Sequence, residues 1–496
     1  MNPESFNIIY DGYNIRHFYT RRKMFYYLKN KLKKNRFVRY LYFGGRDLYR
    51  RVVGPTSKEL DYKIGLVYNK LNQREGMTAD FLSRTKIIEG TKGEKKNRIA
   101  FVTILPKDNS GIAVTGLYSF LDSEVPIDVF SPSSDCESFI YNSYVMEANR
   151  NIRLFDVNDL VLATKIFNYK KIVVAIGNSF HHFYIIPLLE RLKEENFEQR
   201  VVLYIHDVIL WNVLFAGQHH SCSSFRREIE DIYKSEEVIL PKVNDQWGLQ
   251  QELVKKYSLC GARVFVSKFG IKNFLTNSKV ATEMIQADLN ETNQNVSYKK
   301  IFLPLITQFT YREDLIDRGI IGEKEKGVTY IGSFGVLSDA KRIDDLLKVF
   351  SQFADKNINL KLVLAGWGAK QYVQSHQNLI PSNVIVIDSP NDSELVFLMK
   401  YVDFAIQLRR FKTGESSGVV PMLLELDKTV LVSNIGSFRE FGSEVLHTSD
   451  DDLESLEKDI IEMVSLKKVP SSEAKKEYVK KHSIKKFSSD LYEYYA

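Results

Sequence analysis

Residues 328–350 read VTYIGSFGVLSDAKRIDDLLKVF: an apolar run, a loop with glycines, a basic pair and an amphipathic stretch. The apolar run has the length of a strand, and the apolar positions of the second half recur at helical spacing. A buried strand, a short turn and a helix in this order form the repeating unit of parallel α/β proteins. The stretch therefore predicts the start of a doubly wound sheet.

Similar apolar runs begin at residue 98 and form two series. The first series is RIAFVTIL (98–105), PIDVF (126–130), KIVVAIG (171–177), VVLYIHD (201–207) and ARVFVS (262–267), and the second is VTYIGSF (328–334), LKLVLAGWG (360–368), NVIVID (383–388), DFAIQL (403–408) and TVLVS (429–433). Because the runs are continuous rather than alternating, we expect helices on both faces of each sheet. The fold class is predicted as α/β, with two Rossmann-like domains facing a cleft.

The domain boundary is predicted between two polar stretches, residues 290–300 and 313–327, whose composition is typical of interdomain connections. We expect the first domain to span residues 96–310 and the second residues 325–470. Ligands of open α/β sheets bind beyond the carboxyl ends of the strands, so the loops after the strands are the places to look for a site.

A basic, aromatic N-terminal extension is predicted over residues 1–95. Residues 1–50 hold 12 Lys+Arg against 3 Asp+Glu, a charge of +9 in a chain whose net charge is +7, and 13 of its 61 aromatic residues. Basic helices with aromatic faces bind anionic membrane surfaces or acidic partners. The alternative is an ordinary packed helix face with solvated lysines. Nucleic-acid binding has only the charge in its favour, since no recognition motif accompanies it, and we expect none.

The composition is that of an ordinary folded protein, with 44% hydrophobic and 26% charged residues among 496. No window approaches 18 uncharged apolar residues, and the N-terminus lacks the order of a signal peptide, so we expect neither secretion nor membrane spanning. The cysteines Cys136, Cys222 and Cys260 are odd in number and far apart. They indicate no disulfide framework, and a cytoplasmic location fits best.

The loop after the run at 328–334 is suited to phosphate. Gly332 and Gly335 would allow a close backbone approach, the following helix offers free N–H groups, and Lys341 with Arg342 could balance two anionic oxygens. The alternative is that the glycines serve only the turn. The sequence matches neither GxGxxG nor a Walker loop.

A second polar loop follows the run at 403–408. It contains Arg409, Glu415, Ser416 and Ser417 ahead of a short apolar helix. Either serine could cap that helix, which is the structural alternative to a binding role. Glu415 could accept hydrogen bonds from sugar or ribose hydroxyls.

The first series also ends in titratable side chains. His206 and Asp207 close one strand, and Asn178 and His182 follow the preceding one. Such groups are credible contacts of an active site, although a His-Asp pair at a strand end can also be structural.

Two weaker features of the first series remain. The small-residue loop after the run at 98–105 could let a ligand approach Ser110 and Gly111. His219, His220 and Cys222 lack a fourth ligand at fitting spacing, so no metal site is expected.

These blocks together resemble the retaining nucleotide-sugar glycosyltransferases of group 1 (family 4), which have the two-Rossmann GT-B fold. The resemblance covers residues 98 to about 490. It rests on RIAFVTILPKDNSGIA, on AIGNSFHHF with VVLYIHDVIL, on YIGSFGVLSDAKRIDDLLKVF, and on QLRRFKTGESSGVVPMLLELDKTVLVSNIGSFREF, in the family's order. It implies that residues 471–496 form a closing helix that returns to the first domain.

The resemblance also implies roles for single residues. Lys341 matches the lysine that contacts the donor diphosphate, Glu415 the first Glu of a Glu-x7-Glu motif, and His206 a histidine near the transferred sugar. Two positions depart from the pattern. Ser333, a further predicted donor contact, stands where the commoner pattern has Arg. The second Glu falls on Leu423 or Met422, while Glu425 lies two residues too far along. Arg342 or Arg409 could replace the lost positive charge.

The implied function is transfer of a sugar from a nucleoside-diphosphate sugar to an acceptor, with retention of configuration and without a metal or cofactor. A lipid-linked or surface polysaccharide is the first acceptor class by analogy and a protein the second. The extension would help to seat the acceptor or the inner membrane face that carries it. The rival hypothesis is a non-catalytic GT-B partner of another transferase, which the missing second Glu would permit.

Overall fold

The computed structural model describes residues 98–105, 126–132, 152–218, 221–234, 238–240, 246–289, 295–376, 380–412 and 415–493. The predicted extension (1–95), the loop residues Ser110 and Gly111, and His219 with His220 lie outside this part of the chain. Among the described residues, no helix is both long and apolar enough to cross a bilayer.

The first domain is built on a seven-stranded sheet in the order β3-β2-β1-β4-β5-β6-β7, in which every pair is parallel. The strands are β1 Ile99–Val102, β2 Ile127–Ser131, β3 Ile152–Asp156, β4 Ile172–Ile176, β5 Val201–Ile205, β6 Asn273–Thr276 and β7 Ser297–Lys300. Alternate residues of β1 enter different cores, Ile99 and Phe101 on one face and Ala100 and Val102 on the other. Burial on both faces explains why the runs are continuously apolar.

The described helices that connect the strands of this domain pack on one face of the sheet, in the core that also contains Ala100 and Val102. In the described residues they are α1 Leu160–Phe167, α2 Ile185–Glu194, α3 Trp211–Gln218, α4 Cys222–Ile232, α5 Gln246–Lys255, α6 Ala262–Phe269 and α7 Lys279–Leu289. Leu188, Leu189 and Leu192 of α2 are buried in the core that also holds Val174 and Leu203 of the sheet. The apolar spacing of α2 therefore sets which side of the helix meets the sheet.

The second domain repeats the arrangement with a six-stranded parallel sheet in the order β10-β9-β8-β11-β12-β13. Its strands are β8 Thr329–Phe334, β9 Leu360–Gly366, β10 Val384–Asp388, β11 Phe404–Gln407, β12 Thr429–Val432 and β13 Leu446–His447. Its helices are α9 Ile343–Asp355, α10 Ala369–Ser375, α11 Asp392–Tyr401, α12 Val419–Glu425 and α13 Leu453–Val464, and the short α8 Thr307–Thr310 lies in the connection between the domains. The expected fold of two Rossmann-like domains is confirmed.

The sequence prediction was wrong at ARVFVS (262–267), which belongs to helix α6 and not to a strand. A short apolar run does not distinguish a strand from a buried helix. Here Gly261 and Gly270, with φ of 95° and 72°, bracket the helix. Arg263 enters the core because its Nε donates to the Asp288 carbonyl at 2.9 Å. The strand in this part of the sheet is β6, whose four residues give little sequence signal.

The polar stretch at 290–300 is not wholly a connection, because its end forms the edge strand β7. That strand reads SYKK and is partly exposed, as edge strands often are. β3, which has the alternating residues IRLFD, was also not predicted.

Two helices close the chain, and they serve different domains. α14 (Ser472–Lys481) packs against α12 of the second domain. α15 (Ile484–Glu493) sends Phe487 and Leu491 into the core of the first sheet, where the Phe487 ring lies 6.3 Å from that of Tyr204. Between them, the His482 carbonyl accepts a hydrogen bond from Leu305 N–H at 2.9 Å. The return to the first domain therefore begins after α14.

Candidate functional site

In each sheet the strand order reverses beside the first strand, between β1 and β4 and between β8 and β11. Doubly wound sheets bind ligands at such reversals, beyond the carboxyl ends of the strands. Asn178 follows β4, and His206 with Asp207 follows β5; Gly335 follows β8, and Arg409 follows β11. The fold thus brings loops with polar side chains to the binding edge of each sheet.

Gly335 and Lys341 form the centre of the second-domain part of the site. Gly335 has a φ of 94°, and its N–H donates to the Ala365 carbonyl at 2.9 Å. A Cβ on Gly335 would lie 2.8 Å from Nζ of Lys341, so this glycine both forms the turn and leaves room for the ammonium group. Burial lowers the pKa of Lys341 to about 7, and the positive charge of Arg409 acts in the same direction.

Arg409 supplies a second cation. Its N–H donates to Ser433 Oγ at 2.9 Å, and its guanidinium lies over the Phe438 ring, 5.1 Å from the centroid. Burial lowers its pKa, and the carboxylate of Glu415 opposes that shift. Among the described residues, no ion pair or hydrogen bond satisfies the side chains of Lys341, Arg409 or Glu415. Two neighbouring cations that form no ion pair and share one nearby carboxylate, Glu415, are a suitable environment for an anionic ligand.

Asp207 is a first-domain group whose charge interacts with this cluster, through Glu415. Its Oδ2 accepts a hydrogen bond from Asn178 N–H at 2.7 Å. Oδ1 of Asn178 accepts from the N–H groups of Asn212 (2.9 Å) and Val213 (3.2 Å) in the first turn of α3. Asn178 therefore caps a helix and fixes the carboxyl group. Burial raises the pKa of Asp207 to about 7, with the negative charge of Glu415 adding to the effect.

His206 and His182 present neutral imidazoles. Burial lowers the pKa of His206 to about 4 and that of His182 to about 3, with the charge of His206 contributing to the latter. Nδ1 of His182 shares a hydrogen bond with Ser179 Oγ at 3.2 Å. Nε2 of each ring is buried and has no hydrogen-bond partner among the described residues. Each ring thus has a buried nitrogen whose hydrogen-bonding capacity is unused among the described residues.

Three predicted donor contacts have a structural explanation. A Cβ on Gly332 would lie 2.4 Å from Cζ of Phe334, so packing inside β8 accounts for this glycine. Ser333 is buried in the same strand, and Arg342 is directed elsewhere. Nε of Arg342 donates to Asp345 at 2.8 Å, and Nη2 to the Asp451 carbonyl at 2.6 Å. Of the two arginines considered as replacements for the lost charge, Arg409 is the one whose charge acts on Lys341.

The serines after Glu415 have two roles in the structure. Ser417 Oγ accepts a hydrogen bond from Val420 N–H at 3.3 Å in the first turn of α12, which is the capping role that the sequence allowed. Ser416 and Ser417 also line a cavity of about 240 Å³ between the domains.

The positions considered for a second Glu do not supply a free carboxylate. Leu423 is fully buried in the second-domain core, and Met422 lies in the same core. Oε2 of Glu425 accepts a hydrogen bond from Thr307 N–H at 3.2 Å in the interdomain connection. Glu425 therefore ties the domains together.

Sequence reasoning missed residues that position the site. Ser437 Oγ donates to the Glu415 carbonyl at 2.5 Å, Ser433 holds the Arg409 backbone, and Phe438 lies under its guanidinium. These contacts join segments 20 or more residues apart, so no local pattern announces them. Among the described residues, no group of three or more His, Cys, Asp or Glu side chains is placed to hold a metal ion.

Comparisons with known proteins agree with this geometry. Residues 318–482 match the family described as glycosyl transferases group 1. Sucrose-phosphate synthase from Thermosynechococcus elongatus is 11% identical with a TM-score of 0.53, covering 81% of this chain and 98% of that one. HepE from Anabaena, solved in complex with UDP and glucose, is 15% identical with a TM-score of 0.51, covering 80% and 99%. No curated protein sequence gives a significant match.

At these identities the two solved structures show the fold alone, and the family match concerns residues 318–482. The match spans all of β8 to β13 and the loops that carry Gly335, Lys341, Arg409 and Glu415. The findings thus support a glycosyltransferase with the GT-B fold, whose residues 318–482 match the group 1 glycosyl transferases.

Proposed function

We propose that the chain transfers a sugar from a nucleoside-diphosphate sugar to a glycan acceptor held by the first domain. The observation that carries the proposal is the pair of cations, Lys341 and Arg409, which form no ion pair among the described residues and share Glu415 as a nearby carboxylate. A diphosphate would supply the missing counter-charge, and Lys341 would be fully protonated in its presence. HepE, solved with UDP and glucose, is an example of a nucleotide ligand on this fold.

The chemistry follows from how charge develops during transfer. The bond between the sugar and the diphosphate breaks with negative charge gathering on the departing phosphate, which Lys341 and Arg409 stabilise. Glu415 accepts hydrogen bonds from sugar hydroxyls, and its negative charge stabilises the positive charge that develops on the ring. Because its carbonyl is fixed by Ser437 Oγ, Glu415 needs little reorganisation on binding.

The first domain contributes neutral groups. Nε2 of His206 and of His182 can each exchange a hydrogen bond with a hydroxyl of the sugar or the acceptor. Asp207, whose pKa is raised to about 7, is partly protonated at neutral pH. The same carboxyl group can therefore either donate or accept a hydrogen bond.

The finer properties also belong to the proposal. The acceptor hydroxyl attacks from the face that the diphosphate leaves, a phosphate oxygen takes the proton, and configuration is retained. The cations make a metal unnecessary. The acceptor is a lipid-linked or surface polysaccharide, with a protein as second choice, and residues 1–50 bring the enzyme to the cytoplasmic membrane face.

One observation favours a second candidate, a non-catalytic partner of another transferase. Leu423 is fully buried where the resemblance expects a second carboxylate, so one donor contact is missing. The presence of Lys341, Arg409, Glu415 and Asp207 in one cleft favours the enzyme.

The test is slow hydrolysis and binding of UDP-, GDP-, ADP- and dTDP-sugars by wild type, Lys341→Ala and Glu415→Ala. Lys348→Ala and Glu473→Ala, which change exposed residues of α9 and α14, are matched controls. We expect turnover of one donor, lost in the two site variants, kept in the controls and unaffected by EDTA. Proton NMR of the released sugar gives its anomeric configuration. Failure to bind any donor, with and without Mg²⁺, would support the partner hypothesis.

A further inference from the structure

A cavity of about 240 Å³ lies between the domains beside Ser416 and Ser417. Residues that line it include Asn277, Lys300 and Phe302 of the first domain, Ser437 and Glu444 of the second, and Tyr478 of α14. The cavity lies beyond the carboxyl ends of β6 and β7. These strands follow β4 and β5 in the sheet, so the cavity lies beside the loops that carry Asn178 and Asp207. We call it the lateral pocket.

Glu444 gives the lateral pocket its chemical character. It is only 9% exposed, and its carboxylate makes no hydrogen bond or ion pair with any residue that the structure describes. Without a partner among the described residues, this carboxylate takes its hydrogen bonds from solvent or from a ligand. The pocket lysines do not do so, because Lys300 pairs with Glu440 at 2.7 Å and Lys481 with Glu477 at 2.6 Å. The carboxylate oxygens of Glu444 can therefore accept hydrogen bonds from a ligand.

The aromatic wall of the pocket restricts the shape of such a ligand. Phe302 is 38% exposed, and its ring meets that of His482 edge-on at 4.5 Å. On its other side the His482 ring stacks on Tyr478 at 3.7 Å. The Tyr478 hydroxyl has no hydrogen-bond partner in the described part of the chain. A flat apolar surface next to polar groups with free hydrogen-bonding capacity suits a ring with an apolar face and a hydroxyl rim.

Charge excludes anionic ligands. The two lysines of the pocket are neutralised by their glutamates, and burial lowers the pKa of His482 to about 4, so this ring is neutral. The charge left over is that of Glu444, which would repel a phosphate or a carboxylate. The volume is below the range of about 300 to 1,000 Å³ of drug-sized ligand sites, which suits a single ring inside the pocket.

We propose that the lateral pocket binds one neutral pyranose ring of the acceptor glycan. Its hydroxyls donate hydrogen bonds to Glu444, and an apolar face packs on Phe302. Ser437 connects this pocket to the site, because it lines the pocket and its hydroxyl holds the Glu415 carbonyl. Binding of a sugar here stands on the pocket itself, whereas its assignment to an acceptor rests on the proposed function.

The first experiment measures binding without transfer. Methyl α-D-glucopyranoside, methyl β-D-galactopyranoside and methyl N-acetyl-β-D-glucosaminide are tested by saturation-transfer NMR on the full chain saturated with UDP, with glucose 6-phosphate as the anionic probe. We expect at least one methyl glycoside to bind and glucose 6-phosphate not to bind. No binding by any of the three, or preference for the phosphate, overturns the proposal, whether or not the chain proves to be a transferase.

Variants then locate the binding. Glu444→Gln and Phe302→Ala should weaken binding of the methyl glycoside at least tenfold, Phe302→Tyr should restore it, and Glu473→Gln on the exposed side of α14 should not change it. Because Glu444 makes no hydrogen bond or ion pair with a described residue, Glu444→Gln should leave the Tm close to that of wild type. Binding that survives in both Glu444→Gln and Phe302→Ala, or a Tm lowered by more than about 5 °C in Glu444→Gln, assigns these residues a structural role and overturns the proposal.

Kinetic measurements distinguish a ring that belongs to the acceptor from a free sugar that acts as an effector. If the ring belongs to the acceptor, the methyl glycoside competes with acceptor or is itself glycosylated, and both variants raise the KM for acceptor and not that for donor. If the glycoside changes the rate without competing, the ring is a free effector and the acceptor assignment is wrong.

Discussion

Asp207 of the first domain interacts electrostatically with Glu415 of the second: burial raises the pKa of Asp207 to about 7, and the negative charge of Glu415 adds to the effect. Two carboxyl groups with different tasks can share a site only if their environments separate their protonation states. Here Asp207 is fixed by Asn178 N–H, while Glu415 lies beside Lys341 and Arg409. The cleft thus combines a carboxyl group that is partly protonated at neutral pH, Asp207, with a second carboxyl group beside two cations.

Asp207→Asn should stabilise the protein in a pH-dependent way. The folded-state pKa lies above the ordinary value of 3.8, so the folded protein binds more protons than the unfolded chain between about pH 4 and 7, and stability falls as pH rises through this window. The variant removes this loss. We expect it to gain on the order of 1 to 3 kcal/mol over wild type at pH 8 and nothing near pH 4. Denaturant titrations across this range, with the exposed Asp450→Asn as control, measure it; a difference independent of pH would contradict the assignment.

Lys341 should make nucleotide binding depend on pH. With a pKa lowered to about 7, most of this amine is neutral at pH 8 and must take up a proton to bind a diphosphate. The Kd for the donor nucleotide should therefore rise up to tenfold per pH unit above pH 7. Calorimetric titrations should show a flat profile for Lys341→Arg, at least tenfold weaker binding at pH 6.5 for Lys341→Ala, and wild-type behaviour for Lys348→Ala. A flat wild-type profile would contradict the prediction.

Arg342 and Arg409 should give opposite phenotypes when changed to Ala. Arg342 binds Asp345 and Asp451 in a buried position, so its loss should lower the free energy of unfolding by about 2 to 4 kcal/mol. Arg409 makes no ion pair among the described residues, so its loss should leave stability nearly unchanged and lower kcat/KM at least a hundredfold. Melting curves and initial rates on the same two proteins check this, and equal effects on both quantities would refute it.

Asn178 should act through the helix that it caps and the carboxyl group that it holds. Asn178→Ala removes the acceptor for Asn212 and Val213 N–H, which costs about 1 to 2 kcal/mol of stability. Asn178→Asp retains an acceptor for the cap but places a charge beside Asp207. We expect this variant to keep its Tm and to shift the acidic limb of the pH–rate profile upward. An unchanged profile in Asn178→Asp would limit the role of Asn178 to the cap.

The sequence was sufficient for the architecture where the apolar runs are long and flanked by loops, as at 201–207 and 360–368. It failed at 262–267, where two positive-φ glycines and the contact between Arg263 and Asp288 make a helix from a run that reads as a strand. Lys341 and Glu415 could be found from motif order. The different roles of Arg342 and Arg409 could not be found in this way. Asp451, which binds Arg342, and Phe438, which lies under Arg409, are distant from them in sequence. The same holds for the lateral pocket, which combines residues from both ends of the fold.

The packing of α15 on the first domain also determines when that domain can finish folding during synthesis. Phe487 and Leu491 complete the core of a sheet whose last strand ends at Lys300, so this core stays open while almost 200 further residues are translated. At about 5 to 20 residues per second, the delay is on the order of 10 to 40 s. Through that time the nascent first domain exposes the apolar surface around Tyr204, a stage at which chaperone binding and aggregation compete.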